Sequence, residues 1–283
     1  MEVEAFQRLD PESFYRRFVT KNVRPDGREL RAVRPVSVDI DVFSDEHVQG
    51  SALVGIGATK VVVGITLQVG QPSESSPNFG DIDVQVLITP LASSKFGSGR
   101  PSEQAQTLGS FVKASIVQSG AVLLEDLCIN QGSHAWKICL DIVCLSYDGN
   151  LADASLIAAV AALLRLKLPD TIEVDGEIIV KSGKSTPLPV QHLPVPLTCG
   201  VFDGVIITDP SLLEEQLVTT NVTVVQTGSG KVCGIHKPGG SCVSGEELNE
   251  CLELCLQHAE RVQAILQDIG GKEVDRGGIS DVA

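Results

Sequence analysis

The sequence predicts a mixed α/β (α+β) fold made of two similar halves in one compact unit. Apolar residues alternate with polar ones in several short β-branched stretches, the period of half-buried strands. Three longer segments carry helical signals, and strands precede a helix in each half, which reads as a weak internal duplication. The expected organisation is a helix and lead-in segment over 1–21 and a folded body over 22–269. The body holds pseudo-repeats at about 36–168 and 190–269, and a flexible tail covers 270–283.

Asp10-Pro11-Glu12 is a helix start, with a capping carboxylate, proline at the first helical position and an acid in the first turn. Phe14, Tyr15 and Phe18 give this short helix an apolar side, and Asn22 to Gly27 is turn chemistry. Val36, Val38, Ile40 and Val42 alternate as a strand. Gly50 to Leu67 reads as two strands around Gly57-Ala58-Thr59. A Pro/Ser/Gly loop over 71–80 leads to a strand over 83–89, then to a polar loop over 94–99 that carries Lys95 ahead of Arg100. Pro101 opens a helix predicted to reach about Leu124, with Leu108, Phe111, Val112, Ser115 and Ile116 on one side. A hairpin joins 128–129 to 134–145, and His134 and Trp136 within it are expected to pack. Asp148-Gly149-Asn150 forms a tight turn.

Residues 152–168 are almost entirely Ala, Leu, Val and Ile, so this helix must be buried on more than one side. Past Pro187, Pro189, Pro194 and Pro196, strands are predicted over 198–208, 221–226 and 231–236, with Gly228-Ser229-Gly230 as a hairpin turn. Ser244-Gly245-Glu246-Glu247 is a capping box. It launches a helix whose apolar positions 248, 252, 255, 259, 262, 266 and 269 form one stripe.

A chain of 283 residues with 43% hydrophobic and 20% charged residues can bury a core without disulfide or metal support. No apolar run reaches the ~20 residues that span a bilayer, and the acidic start is neither a secretory signal nor a transit peptide. The eight cysteines include no Cys-x-x-Cys pair, so they are expected to be reduced, buried thiols rather than metal ligands. The net charge of −14 argues against a nucleic-acid binder with a basic face. Arg16, Arg17, Lys21, Arg24, Arg28, Arg31 and Arg34 nevertheless outweigh Asp26 and Glu29, a +5 segment on a −19 remainder. Contact with another subunit or plain solvation is the expectation for it. At 4% aromatic content, a base-stacking platform is not expected.

Several motifs occur in a telling order. They are Arg24-Pro-Asp-Gly-Arg28, Gly50-Ser-Ala with Gly57-Ala-Thr59, Asp148-Gly-Asn before the apolar helix, Phe202-Asp203-Gly204, Thr208-Asp209-Pro210 and Glu214-Glu215. Together, over about 15–269, they resemble the ribonuclease PH family. Pro90-Leu-Ala-Ser-Ser94, Tyr147-Asp-Gly-Asn150 and His236-Lys-Pro-Gly-Gly240 look most like a non-catalytic ring subunit of the eukaryotic RNA exosome. The resemblance implies a fold of two ββαβα-type halves, six-subunit rings around a channel, and RNA degradation from the 3′ end by phosphate in the catalytic members. No cofactor and no metal are expected, since the ligand spacings a metal site needs do not occur.

The family's site takes an arginine in a Gly-Ser/Thr-Arg turn to grip phosphate, two carboxylates six residues apart, and arginines for the RNA backbone. Both reactants are anions, so fixed guanidinium charge must bring them together. Asp203 and Asp209 match the spacing of the carboxylates. An even separation within one strand puts them on one face, but a turn residue at Asp203 and a strand-end or capping acid at Asp209 is the favoured explanation, since carboxylates alone do not make a site. Arg100, in Ser98-Gly99-Arg100, matches the place of one RNA-contacting arginine, Lys95 on the same loop is the other candidate for RNA contact, and the His236–Gly240 loop looks like one that shapes a subunit edge. The phosphate turn is degenerate, reading Asn150-Leu151-Ala152.

The resulting expectation is an inactive ring subunit that supports 3′-to-5′ RNA processing, rRNA maturation and mRNA turnover. Its partners would be homologous subunits in a hetero-hexameric ring (one of them as a dimer), OB-fold cap proteins and RNA, in the cytoplasm, nucleus and nucleolus. Two alternatives remain open. One is an active phosphorolytic 3′–5′ exoribonuclease using Arg165 or a neighbour's arginine, and the other is a different non-catalytic position in the same ring.

Overall fold

The computed structural model describes residues 7–45, 47–93, 97, 102–174 and 177–270. Lys95, Arg100, Pro101 and the 271–283 segment lie outside these. Helix α1 (Pro11–Val19) starts where the capping signal lies, with the Asp10 carboxylate accepting the Ser13 N–H.

Strands β1 (Val36–Ile40), β2 (Gly50–Ile56), β3 (Thr59–Gly70), β4 (Asp81–Ile88), β5 (Cys128–Asn130) and β6 (His134–Ser146) form the first sheet. Its order is β1-β2-β3-β6-β4, with β5 beside β6, and β4 runs parallel to β6. The β2–β3 turn is the two-residue Gly57-Ala58 connection, with Ile56 paired to Thr59. β1 ends at Ile40 rather than Val42, because Asp41 takes a φ of 52°.

Helix α2 (Glu103–Ser119) is capped by Ser102 and closed by Gly120 at φ 69°. It therefore stops short of the predicted Leu124, which instead opens a 3-10 turn (Leu124–Leu127). The five residues expected on its apolar side are all buried.

Helix α3 (Leu151–Arg165) explains its composition by position. It packs on β2 and β3 of the first sheet and on β9 (Val195–Phe202) of the second. Flanked on both sides, it needs apolar residues all round. The approach is so close that a side chain at Gly50 would come within 2.8 Å of the Ala162 carbonyl. The helix ends at Arg165, and Leu168 already belongs to β7 (Lys167–Val174), which pairs with β8 (Glu177–Pro187) as a separate hairpin. Sequence periodicity gave no sign of this hairpin.

The second sheet runs β10-β9-β11-β12, with β10 (Val205–Thr208), β11 (Thr220–Gln226) and β12 (Val232–His236) all antiparallel to their neighbours. The strand expected over 198–208 is thus a hairpin, because Asp203-Gly204 turn with φ values of 49° and 76°. One-turn helix α4 (Leu212–Glu215) follows. Helix α5 (Gly245–Gly270) starts at the Ser244 capping box, with Ser244 Oγ and Glu247 Oε2 each accepting the other residue's N–H. Its Cys255, Ala259, Val262, Leu266 and Ile269 are buried, as the stripe requires.

The two halves are unequal, since only the first sheet contains a parallel pair. They share one core all the same: residues of β2, β3, β6 and α3 pack in the same cluster as Val195, Val225, Ala259, Val262 and Leu266. Cys144, Cys199, Cys251 and Cys255 are buried within the fold, whereas Cys128, Cys139 and Cys233 are half-buried and Cys242 is exposed. No helix among the described residues is long and apolar enough to cross a membrane.

Leu156, on α3, is fully buried, and Val180, on the β7–β8 hairpin, is 46% exposed. Leu156→Ala is expected to cost about 2–5 kcal/mol of stability in urea denaturation. Val180→Ser is expected to stay within about 0.5 kcal/mol.

Candidate functional site

The turn between β6 and α3 is the centre of a polar cluster buried where the two halves meet. Gly149 and Asn150 sit at φ 79° and 54°, and a side chain on Gly149 would meet the 210–212 backbone at about 2.5 Å. Glycine is required here by both conformation and space.

Asp209 follows β10, is fully buried and is the hub of the cluster. Its carboxylate accepts Arg34 Nε at 2.8 Å, Arg34 Nη2 at 2.7 Å and the Arg34 backbone N–H at 2.8 Å. Arg28 Nη1 at 3.1 Å and Asn150 Nδ2 at 2.7 Å complete its shell. Burial alone would raise its pKa, but the Arg34 hydrogen bonds and charge outweigh that and hold it below the ordinary value.

Arg34 also reaches the turn itself, donating to the Asp148 carbonyl at 2.8 Å and carboxylate at 3.5 Å and to the Gly149 carbonyl at 3.5 Å. Its five donors are thereby all engaged. A guanidinium does lie against the degenerate turn, from far upstream in the chain, but it has no donor left for an incoming anion.

Part of the cationic lead-in segment is consumed in the same way: Arg24, Arg28 and Arg34 are spent on internal partners, whereas Arg16, Arg17, Lys21 and Arg31 stay exposed. Arg24 is fully buried and donates to the carbonyls of Leu30, Thr208 and Asp209 and to Glu214. Glu214 also accepts the Tyr15 hydroxyl at 2.5 Å. Arg16 pairs with Asp203 at 2.7 Å and Arg31 with Glu250 at 2.5 Å. These charges fold the segment onto its own chain.

Asp203 and Asp209 do not share a strand face. Asp203 is half exposed in the β9–β10 turn on Arg16, whereas Asp209 is internal. The carboxylates that converge are Asp209 and Glu215, which are also six residues apart. Glu215 Oε1 accepts the Asn150 N–H at 2.7 Å, and Oε2 accepts the Tyr147 hydroxyl at 2.6 Å. Burial raises the Glu215 pKa, and these bonds offset only part of that.

Asn150 caps α3, so the Glu215 carboxylate stands at the helix N-terminus, where an anion is favoured by the exposed N–H groups and the helix dipole. Leu151 and Ala152, the other two residues of the turn, begin α3 and, with Tyr147, Asn150 and Glu215, line a cavity of about 500 Å³ beside it. Glu215 was visible in the sequence only as half of Glu214-Glu215. The signal that could have found it is that Asp209 and Glu215 repeat the same spacing.

Beneath the turn, fully buried Asp153 accepts the Thr198 N–H at 2.9 Å, the Thr198 hydroxyl at 2.7 Å and Asn150 Nδ2 at 2.8 Å. Among the described residues no cation bonds to it, and burial pushes its pKa up to about 6.

Among the other expected residues, Arg165 is paired with Asp41 at 2.9 Å. It sits at the far end of α3, about 20 Å from the turn at 1.5 Å rise per residue, and so does not serve it. Lys95 and Arg100 lie outside the described residues. Lys237 bonds the Gly239 and Gly240 carbonyls of its own loop. Trp136 is buried, as expected for packing. Among the described residues, no group of three or more acidic, His or Cys side chains is arranged to hold a metal ion.

Comparison with known proteins matches residues 32–169 to domain 1 and 192–257 to domain 2 of the 3′ exoribonuclease family, RNase PH. An exosome complex component Rrp42 from Methanopyrus kandleri is 38% identical over 240 residues, covering 85% of this chain and 89% of that protein. The structure resembles one from an Archaeoglobus fulgidus exosome with RNA bound to the active site, at TM-score 0.81 and 33% identity, covering 90% of this chain and 96% of that one. It also resembles an archaeal exosome core chain at TM-score 0.78 and 30% identity, covering 94% and 100%. The chain belongs to the 3′ exoribonuclease (RNase PH) family.

Asp209→Ala leaves Arg34 buried without its counter-ion and is expected to cost about 3–5 kcal/mol in denaturant unfolding. Asp153 makes its own contribution to pH dependence. Its folded pKa, about 6, lies above the ordinary 3.8, so its stabilising contribution is full below 3.8 and lost as pH rises through 6. His258, held down to about 4 by burial, acts in the opposite sense, and its contribution is lost as pH falls from 6.5 through 4. Asp153→Asn is therefore expected to remove the loss of stability between about pH 4 and 6 relative to the parent chain, as read by thermal unfolding across that range.

Proposed function

We propose that this member of the 3′ exoribonuclease family is a catalytically inactive subunit of an RNA exosome ring. It assembles with homologous RNase PH-like subunits into a hetero-hexamer, as a dimer with one neighbour, and carries OB-fold cap proteins. In this reading it supports 3′-to-5′ RNA processing and turnover, including rRNA maturation and mRNA decay, in the nucleus, nucleolus and cytoplasm.

One observation carries the inactivity. The helix N-terminus that would hold the attacking phosphate carries the Glu215 carboxylate on the Asn150 N–H at 2.7 Å instead. A phosphate placed there would meet a fixed negative charge in place of a fixed positive one, with like charges a few ångströms apart in a partly dehydrated site. The adjacent Leu151 and Ala152 supply no charge, and Arg34 is saturated by Asp209, Asp148 and Gly149. Without bound phosphate there is no nucleophile for phosphorolysis. The relatives named as exosome components support the assembly part of the reading, and their names leave the catalytic part to the geometry.

The test is an RNA decay assay on the isolated chain with and without inorganic phosphate, paired with native mass spectrometry of the chain co-expressed with homologous ring subunits. No phosphate-dependent release of nucleoside diphosphates is expected. A hetero-oligomer is expected, with interfaces on the order of 2,000 Å² or more. Sustained phosphorolysis by the isolated chain would overturn the proposal.

A further inference from the structure

Away from the buried polar cluster, a groove of about 580 Å³ lies between α1 and α4. Its apolar wall is made by Pro11, Phe14 and Phe18 of the first helix, by Pro25 in the turn after it, and by Leu213 and Leu217. Phe14 packs on Phe18 with ring centroids 5.0 Å apart and is itself nearly buried, so it forms the floor. The rim is what a partner can touch. Leu213 is 57% exposed, Pro11 and Pro25 are exposed, and Phe18 and Leu217 are half-buried. A contiguous apolar rim on a folded surface marks a place of association. The two acids of the wall are already answered from within the chain. Asp26 accepts Arg28 Nε at 2.6 Å and the Arg28 N–H at 3.0 Å, and Glu214 accepts the Tyr15 hydroxyl, Arg24 and the Ser211 N–H. None of the lining residues belongs to a strand, so the groove offers an extended peptide no sheet edge to pair with. A helix satisfies its own backbone and needs only the apolar surface.

Charge selects the kind of helix. Residues 7–21 carry Arg8, Arg16, Arg17 and Lys21 against Asp10 and Glu12. Asp10 is turned to the Ser13 N–H and Glu12 to Arg16. Arg17 is exposed one helical turn from Phe14, on the groove side of α1. Lys21, also exposed, stands in the turn that closes the helix, with its N–H on the Phe18 carbonyl at 2.9 Å. The apolar groove is thus bordered by positive charge on a chain of net charge −14, and an acidic partner meets attraction here. RNA fits this surface poorly. Two cations on the rim are few for a phosphate backbone, and Phe14 and Phe18 turn to each other instead of presenting open faces to bases. We infer that the groove docks an acidic amphipathic helix of a partner protein, with its apolar side on Phe18, Leu213 and Leu217 and its carboxylates toward Arg17 and Lys21. The inference goes beyond the reading above and does not depend on it.

The probe is a fluorescein-labelled peptide of about 15 residues, roughly four helical turns, with Leu at every third or fourth position and Glu between them. It is titrated into the isolated full chain and followed by fluorescence anisotropy. The same peptide with Lys in place of Glu, and a single-stranded oligoadenylate of equal length, are titrated alongside. Saturable binding of the Glu peptide that weakens with added salt is expected, with the Lys peptide and the RNA bound about tenfold more weakly or worse. Leu213→Asp is expected to weaken binding of the Glu peptide about tenfold, and Arg17→Glu combined with Lys21→Glu to weaken it by a similar factor. All three positions are exposed, and thermal unfolding of each variant at the parent temperature confirms that the fold is intact. No saturable binding of the Glu peptide, equal affinity for the Lys peptide, tighter binding of the RNA, or binding unmoved by both variants overturns the inference. Binding that appears only once residues 1–6 are deleted overturns it too, because the groove then belongs to the chain's own first residues.

Discussion

The bidentate pair between Arg34 and Asp209 is the constraint on which the rest of the site depends. It joins residues 175 apart in sequence at 2.7 and 2.8 Å, both of them buried. From this pair Arg34 grips the Asp148 and Gly149 carbonyls, while Asp209 orients Asn150 and takes Arg28. The lead-in segment, the end of the β9–β10 hairpin and the turn before α3 are thus fixed to one another by charge-assisted bonds. Such a pair is not necessarily a large net stabiliser, because removing two charges from water costs several kcal/mol per ion. What it provides is geometry, since neither partner has another buried counter-ion of comparable quality.

That geometry decides the chemistry. Once Arg34 is committed, the turn has no cation to spare, and the N-terminus of α3 takes the Glu215 carboxylate as its anion. Glu215 is held there from α4, which has its own capping box between Ser211 and Glu214. In the proposed reading, the place where the family gathers an external anion is neutralised internally in this chain. The carboxylates of Asp153 and Asp209 likewise turn the Thr198 hydroxyl and the Asn150 amide donors inward.

Much of the fold was legible in the sequence because it is written locally. The caps at Asp10 and Ser244, the Gly57-Ala58 turn and the apolar stripe of α5 all act within a few residues, so spacing alone reveals them. The all-apolar run at 152–165 announced burial on two sides, and the two sheets supply both. The 198–208 run misled because β-branched residues continue through a hairpin whose only punctuation is Asp203-Gly204. The β7–β8 hairpin was hidden by its polar residues and Pro169. The site was legible in part, since the Asp148-Gly-Asn turn and Asp209 stood out. The fate of the lead-in arginines did not, because their partners lie up to 219 residues away and no local pattern distinguishes a buried guanidinium from a solvated one. Asp203 was favoured over Glu215 because both stand six residues from Asp209, and only three-dimensional proximity separates them.

The claim that most needs direct examination is that the chain's own carboxylate, not phosphate, answers the start of α3. A crystal structure of the chain grown at high inorganic phosphate concentration addresses it. The account predicts Glu215 on the Asn150 N–H with no phosphate density beside Leu151 and Ala152. Phosphate seated on that N–H, with Glu215 swung away, would contradict it.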